Sequence, residues 1–520
     1  PSPSLRSYFK GVERGSSKEY RTKFYPRKKV QEILNEWLNH LEKIQKEWPT
    51  LWKFEIDLSQ KVGPLSIRKP LKERMEDIDS YYRLISPGGE PISKAAQTQM
   101  LKEWAQVRGL RRRSINATVE NMKKSTNSGA PYFTKRKDVT TKTVPFELIP
   151  GSFKGEEVYT QVLPTGEYAC VAILGWRGQE GGPNSDDVKQ RVVWMFPYAV
   201  NIAELTLYQP LISAVQRANL VPAWVSLDAV DAAVTRLFDT KADRDLIVCT
   251  DFEKFDQHFN QSCQDCAHDV LRALSTNSVD NESWFNTVFP IKYTIPLAYN
   301  YYSVAIGKHG MASGSGGTNA DETIVHRVLQ HEAAMMNRSI LNPNSQCLGD
   351  DGLLSYPGIT VKDVVRCYTA HGLEMNDVKQ YFSTDDCIYL RRWHHKNYRV
   401  KGIAVGVYST CRAIGRLAEQ ERYYGKGTWS KEMVALRQLS ILQNCEYHPL
   451  REEFVDFCMK GDRYRLGLDI PGFLDRISEI AQKAIDYMPD FLGYSKTLGD
   501  SNPSKGIADW WIVQYLKSKA

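Results

Sequence analysis

No run in the 520-residue sequence approaches the ~18 consecutive apolar residues that a membrane span requires. The segment Pro1–Lys10 lacks the apolar core of a secretory leader, so a soluble chain without membrane partners is expected. Cysteine is sparse, at 10 residues, and only Cys263 and Cys266 stand at Cys-x-x-Cys spacing. Without a second such pair, neither a structural zinc nor a disulfide framework is expected, and the thiols read as those of a reduced protein. No Gly-x4-Gly-Lys-Ser/Thr loop occurs, which excludes a P-loop helicase or ATPase. Internal repeats and low-complexity blocks are absent as well. What remains is an ordinary globular composition, 42% hydrophobic and 25% charged, at a length that divides into two to four packed subdomains.

Charge is uneven along the chain. The first 150 residues carry 30 Lys and Arg against 17 Asp and Glu, while the net charge of the whole chain is only +7. A basic N-terminal third suits a polyanion partner, and an acidic remainder suits a site that collects cations.

Hydrophobic spacing predicts an amphipathic helix over 25–50, on Val30, Ile33, Leu34, Trp37, Leu38, Leu41 and Ile44. A second helix is expected over 93–124, carrying Arg108, Arg111, Arg112, Arg113, Lys123 and Lys124, followed by a loop at 125–131. Strands are expected at 167–176 and 188–197, with a polar loop at 177–187 between them. From 245 to 395 the pattern becomes strand (245–250), helix (259–274), Gly/Ser loop (307–317), long helix (319–338), hairpin (346–356), helix (361–371) and strand (387–393). Beyond 397 the chain reads as helical, ending in the aromatic stretch Trp510–Tyr515.

Two places put carboxylates at the ends of short apolar strands. One is Asp251-Phe-Glu-Lys-Phe-Asp256; the other is Gly349-Asp350-Asp351, in the expected hairpin turn. Carboxylates from separate strands, aimed at one point, are the donor set for paired hard cations whose shells are completed by phosphate oxygens and water. Such a pair activates a hydroxyl and stabilises a leaving phosphate oxygen, which is most of what phosphoryl transfer asks of a protein. Asp-Asp also occurs at 186–187 and 385–386, where it reads as solvated surface.

Order and company make the pattern specific. Thr126-x2-Gly129-x-Pro131, Arg177 with Lys189-Gln-Arg191, Asp251-x4-Asp256, Ser313-Gly314-x3-Thr318, Gly349-Asp350-Asp351, His371-Gly-Leu-Glu-Met375 followed by Lys379, and Tyr389-Leu-Arg391-Arg392 occur in that order. Together they resemble motifs G, F, A, B, C, D and E of the viral RNA-dependent RNA polymerases. The wording resembles the enzymes of small double-stranded RNA viruses, picobirnavirus polymerases in particular. The resemblance implies an α/β (α+β) right-hand polymerase with an antiparallel palm sheet. Residues 1–240 would form mainly an N-terminal segment and fingers; 241–396 mainly the palm, with a fingers insertion near 270–300; and 397–520 the thumb and C-terminal tail. It implies template-directed nucleotidyl transfer of NTPs, with two Mg²⁺ (or Mn²⁺) ions, for viral genome replication and transcription, in the virion interior and host cytoplasm. Template RNA, the nascent strand and NTPs are the implied partners, with capsid protein a further candidate.

Residue by residue, the resemblance makes Asp251 and Asp350 metal ligands and Asp351 an auxiliary ligand. Lys379 becomes the candidate donor of a proton to pyrophosphate. Arg177, Lys189 and Arg191 would hold the triphosphate. Asp256 would accept from the ribose 2′-hydroxyl, the group that distinguishes RNA from DNA; capping the next helix is its ordinary alternative. Ser313, Gly314 and Thr318 would bring backbone close to the nucleotide. Where the family usually has Asn, four residues after Thr318, this chain has Glu322, preceded by Asp321; Glu322 is taken as the replacement. Thr126, Gly129 and Pro131 would shape the template entrance. Arg391 and Arg392 would meet RNA backbone or pair with acids on the thumb. Tyr423–Trp429 reads equally as a priming platform or a surface loop.

Overall fold

The computed structural model describes residues 3–487 and 506–520; residues 488–505, inside the expected thumb and tail, lie outside them. Its centre is an antiparallel four-stranded sheet, in the order Gln346–Leu348, Asp351–Leu354, Ile247–Thr250, Tyr381–Ser383. All four residues of Ile247–Thr250 are buried, as expected for a strand flanked on both sides and covered on both faces, by the helix Thr318–Met336 on one and the helix Leu227–Thr240 on the other. That helix carries fifteen buried positions and no apolar stripe, because it runs through the interior. Its register neighbour matters most: Gly352 pairs with Thr250, which sets the Asp350 turn beside the end of the central strand.

A second sheet orders Lys189–Met195, Ala172–Gln179, Leu297–Asn300 and Ser303–Ala305. The strand Leu297–Asn300 joins this sheet in parallel with Ala172–Gln179, through Ala172–Leu297 and Ile173–Ala298. The strand from 172 runs on through Arg177, where the sequence pattern predicts a loop.

Three other expectations are corrected. The helix expected over 25–50 is Val30–Leu41, then a 3₁₀ turn Glu42–Ile44, then a new helix Pro49–Ser59. Pro26 cannot lie in a helix interior, and Pro49 starts the next one at its first turn. The helix expected over 93–124 is two helices, Lys94–Glu103 and Ile115–Glu120, each capped by a serine, Ser93 and Ser114. Between them Gly109 takes φ +94° and the arginine run lies extended, with Arg112 on Asp280 at 2.9 Å and Arg113 on Gln209 at 2.8 Å. Those two side chains strut the fingers instead of lining a basic helix. The strand expected at 387–393 is a hairpin, Asp386–Tyr389 and Arg392–His395, turning on left-handed Leu390 and Arg391.

The N-terminal segment crosses the molecule. Its first helix, Pro3–Arg14, packs Leu5 and Phe9 beside Ile173 and Ala298 of the fingers sheet. Tyr20 and Arg21 then pair with Gln420 and Glu419, and the Tyr25 hydroxyl donates to the Phe457 carbonyl at 2.5 Å. Phe24, Ile33, Trp37, Leu51 and Phe54 share one core with Leu417, Leu436, Phe454 and Leu516 of the C-terminal helices. Glu55, fully buried, accepts from the N–H groups of Thr410 and Cys411 at the start of helix Thr410–Ala418. Residues 24–62 thus pack with the thumb, while the preceding helix packs with the fingers.

Candidate active site

The central strand delivers Asp251 at its end, and the backbone of Asp251 is clamped. Gln380 Oε1 accepts from the Asp251 N–H at 2.6 Å while Gln380 Nε2 donates to the Asp251 carbonyl at 2.9 Å. The neighbouring turn is held as firmly. Gly349 takes φ +58°; its N–H donates to Thr323 Oγ1 at 2.9 Å and its carbonyl accepts from His326 Nδ1 at 2.8 Å. Burial pushes the His326 imidazole down to about 4, so it is neutral with the proton on Nδ1. A Cβ on Gly352 would come within 2.6 Å of the His326 ring, so a side chain there would push the turn off its support. Thr323 and His326 lie on the same face of the long helix as Asn319 and Glu322.

Held this way, Asp251 and Asp350 both stand exposed at one place. Among the described residues neither carboxylate has a hydrogen-bond or ion-pair partner. Burial, with the charges of Glu253 and Asp350, raises the Asp251 carboxyl above its ordinary value. Unpartnered, mutually repelling oxygens of this kind are the donor set that Mg²⁺ or Mn²⁺ takes up. Asp351 differs: its Oδ2 already accepts from the Leu390 N–H at 2.9 Å. Burial and the neighbouring Asp350 charge push Asp351 up to about 7.

That value gives a signed expectation. A carboxyl whose folded pKa is raised stabilises the fold below its unfolded pKa, ~3.9, and that stability is lost as pH rises through about 7. Without divalent ions, wild type should therefore lose thermal stability on going from about pH 5 to about pH 7, relative to Asp351→Asn. Mg²⁺ should shrink the difference; melting curves with EDTA and with Mg²⁺ check it.

Asp256 sits one residue into the short helix Phe255–His258 and caps nothing; the following helix is capped by Asn260. Its carboxyl faces Glu322 and the charge of Arg191. Glu322, 6% exposed, has one carboxylate oxygen with no partner, and burial beside Asp256 holds it well above the carboxylate range. Burial raises Asp256 as well, so the pair resists carrying two charges. Asp321 is spent elsewhere, on the hydroxyls of Tyr208 and Tyr293, both at 2.7 Å, and on Lys292 at 3.0 Å. Glu322, not Asp321, therefore faces the site.

Arg177 pairs in register with Arg191, and Lys189 lies two residues along, so the three cations share one face of the fingers hairpin. In the loop Ser313–Thr318, Ser313 Oγ donates to the Val192 carbonyl at 3.2 Å and Thr318 Oγ1 to the Ala312 carbonyl at 2.9 Å. A Cβ on Gly314 would lie 1.5 Å from the Trp194 carbonyl oxygen, so only glycine lets this loop lie against the hairpin. Thr126 is exposed, in a loop whose Gly129 takes φ +62° and which ends at Pro131.

Lys379 is exposed, with Glu253 at 3.2 Å its side-chain partner among the described residues. One expected role changes. Arg392 is 7% exposed and forks onto Asp231 at 2.8 and 3.2 Å. The expected RNA contact of Arg392 is corrected to a buried strut, its acid on the helix Leu227–Thr240 and not on the thumb. Arg391 stays exposed, in the field of Arg412, Arg416 and Glu180. A separate cluster, Glu332, Cys367 and His371, is closed as an ion pair, His371 Nε2 to Glu332 at 2.6 Å. Gln380, Thr323 and His326 escape a sequence reading, since single polar side chains on remote elements leave no local signature.

An antiparallel sheet presenting acids from two adjacent elements, roofed by a hairpin of cations and flanked by fingers and thumb helices, defines a right-hand nucleic-acid polymerase. Residues 66–447 match the family model of viral RNA-dependent RNA polymerase. The chain is 58% identical, over 525 aligned residues, to a potential RNA-dependent RNA polymerase of human picobirnavirus, covering 100% of this chain and 97% of that one. The crystal structure of a human picobirnavirus RNA-dependent RNA polymerase superposes with a TM-score of 0.94 at 57% identity, covering 100% of this chain and 97% of that one. Its insertion-loop deletion mutant superposes at 0.93 and 55%, with the same coverage. The chain belongs to the viral RNA-dependent RNA polymerases, within the picobirnavirus group. Among the described residues no helix is long and apolar enough to cross a membrane.

Proposed function

We propose that this polymerase extends RNA by a two-metal nucleotidyl transfer centred on Asp251 and Asp350, with Asp351 in an auxiliary place. The observation that carries the reading is the meeting of two exposed, unpartnered carboxylates on rigidly held backbone. Two Mg²⁺ or Mn²⁺ ions there would supply activation of the 3′-hydroxyl and neutralisation of charge on the leaving pyrophosphate. The protein's own part is positioning. Arg177, Lys189 and Arg191 bind the triphosphate from the hairpin above. Asp256, beside Glu322, accepts from the ribose 2′-hydroxyl. Ser313, Gly314 and Thr318 seat the incoming nucleotide, Thr126, Gly129 and Pro131 guide the template, and Arg391 meets the nascent strand. Lys379, freed from Glu253, would give the pyrophosphate its proton. Replication and transcription of a double-stranded RNA genome, inside the capsid and in the host cytoplasm, is the role this chemistry suits.

Labelled-NTP incorporation on single-stranded RNA, with Mg²⁺ or Mn²⁺ and a dNTP control, tests the reading. Wild type should make template-dependent RNA and reject dNTPs. Asp256→Ala should lose roughly tenfold to hundredfold of that discrimination, because a site built to bond a hydroxyl leaves its polar groups unpaired without it. Equal use of dNTPs by wild type would instead favour a reverse transcriptase. RNA binding without synthesis would favour a silent packaging protein.

A further inference from the structure

The glycine loop Ser313–Thr318 and the template-entrance loop at 126–131 rest on the same corner of the fingers. The Trp194 carbonyl lies under Gly314 and the Phe196 carbonyl under Gly129, two residues apart along the chain. The helix that follows, Tyr198–Arg217, joins the loops through side chains. At one end Arg136 follows the template loop: its N–H donates to the Thr126 carbonyl at 3.0 Å, and its Nη2 donates to Asn201 Oδ1 at 2.7 Å. At the other end Asn201 Nδ2 donates to the Gly314 carbonyl at 3.2 Å and to Glu204 Oε1 at 3.1 Å. Glu204 then accepts from the Gly316 N–H at 3.0 Å and from the Ser315 hydroxyl. Asn201 and Glu204 are 4% and 0% exposed.

The polarity of this chain of bonds is fixed. Among the described residues Arg136 has no carboxylate partner; its guanidinium donates to the Lys123 carbonyl at 3.1 Å and to the amide oxygen of Asn201, which turns the amide N–H groups toward a carboxylate and a carbonyl. Reversing the amide would oppose both ends at once. The three groups are buried or half-buried, where such bonds are stronger and a broken one costs more.

We propose that Arg136, Asn201 and Glu204 form a positioning relay that makes the template-entrance loop and the glycine loop shift together when the template advances by one nucleotide. The proposal rests on the roles assigned to those loops above. None of the three residues touches the reacting atoms; they act through the loops. The relay therefore governs the step between successive additions more than the addition itself.

The test uses the full chain on primer–template RNA, stalled by withholding one NTP, with two successive additions then timed by rapid quench. Asn201→Asp keeps the bond to Arg136 but loses both donations, and should slow the second addition about tenfold more than the first. Adding Glu204→Gln rejoins positions 201 and 204, because the new amide N–H donates to the carboxylate introduced at position 201 while its oxygen keeps the Ser315 hydroxyl; the Gly314 carbonyl and Gly316 N–H stay without their former partners. It should bring the ratio back to within about threefold of wild type. Arg136→Ala, at the less buried end, should show the same uneven slowing. Equal slowing of both additions, or no recovery in the double variant, would overturn the relay alone. A wild-type chain that extends no RNA would overturn the assigned roles beneath it and the relay with them.

Discussion

Alanine at Asp350 is expected to cut nucleotide incorporation at least about a thousandfold, a loss of about 4 kcal/mol of transition-state stabilisation. The carboxylate makes no hydrogen bond or ion pair among the described residues, so no polar partner depends on it. Its turn is fixed by Gly349 through Thr323 and His326, and those bonds survive the substitution. The fold should therefore be spared, with stability changed by no more than ~0.5 kcal/mol. Without metal the melting point should even rise slightly, because Asp251 and Asp351 lose a repelling neighbour. Activity lost at undiminished stability is the signature of a ligand; single-turnover extension and a melting curve on the same preparation read it. Activity and stability falling together would mean that Asp350 is structural.

Arg392 should behave in the opposite way. Its guanidinium bonds Asp231 twice and the Gly406 carbonyl at 3.1 Å, and a Cβ on Gly406 would come within 2.3 Å of it. Arg392→Ala leaves the buried Asp231 charge alone, at a cost of about 3–5 kcal/mol, and should lower the melting midpoint by several degrees. Removing both partners, as Arg392→Met with Asp231→Leu, should cost much less than either single change. Arg391→Ala, one residue away but exposed, should leave the melting point alone and make RNA binding less sensitive to salt. Denaturation of these variants separates strut from RNA contact; equal stability of Arg392→Ala and wild type would refute the strut.

The sequence exposed the parts of the site whose chemistry is local. Asp251 after four buried strand residues, Gly349-Asp350-Asp351 in a tight turn, and the glycines around Ser315 each carry their geometry in neighbouring residues, and the structure brings them together. Pairing of Arg177 with Arg191 was half visible: the cations stand out, but the strand beneath Arg177 reads as a loop because its turn is so polar. The supports were not visible. Gln380 clamps Asp251 across 129 residues and Glu204 reaches the glycine loop across 112, and one amide or acid in a helix looks the same whether it faces water or a backbone. The N-terminal crossing is implied by the family resemblance, which leads one to expect a Phe/Lys-rich N-terminal segment tying fingers to thumb, and not by the residues themselves. Trp37 and Phe54 have the spacing of any amphipathic helix, and only the assembled core shows that their partners are Leu417 and Phe454. The arginine run at 108–113 was legible as charge but not as structure: Arg108 and Arg111 stay exposed, while Arg112 and Arg113 bond Asp280 and Gln209.

The central claim is that Asp251 and Asp350 together hold the catalytic cations. Mn²⁺ titration followed by electron paramagnetic resonance, on the full chain with primer–template RNA and a non-hydrolysable NTP, tests it most directly. Wild type should bind two interacting ions with a coupled spectrum, and Asp251→Asn or Asp350→Asn should lose the coupling and at least one ion. Two coupled ions persisting in both variants would place the metal centre elsewhere.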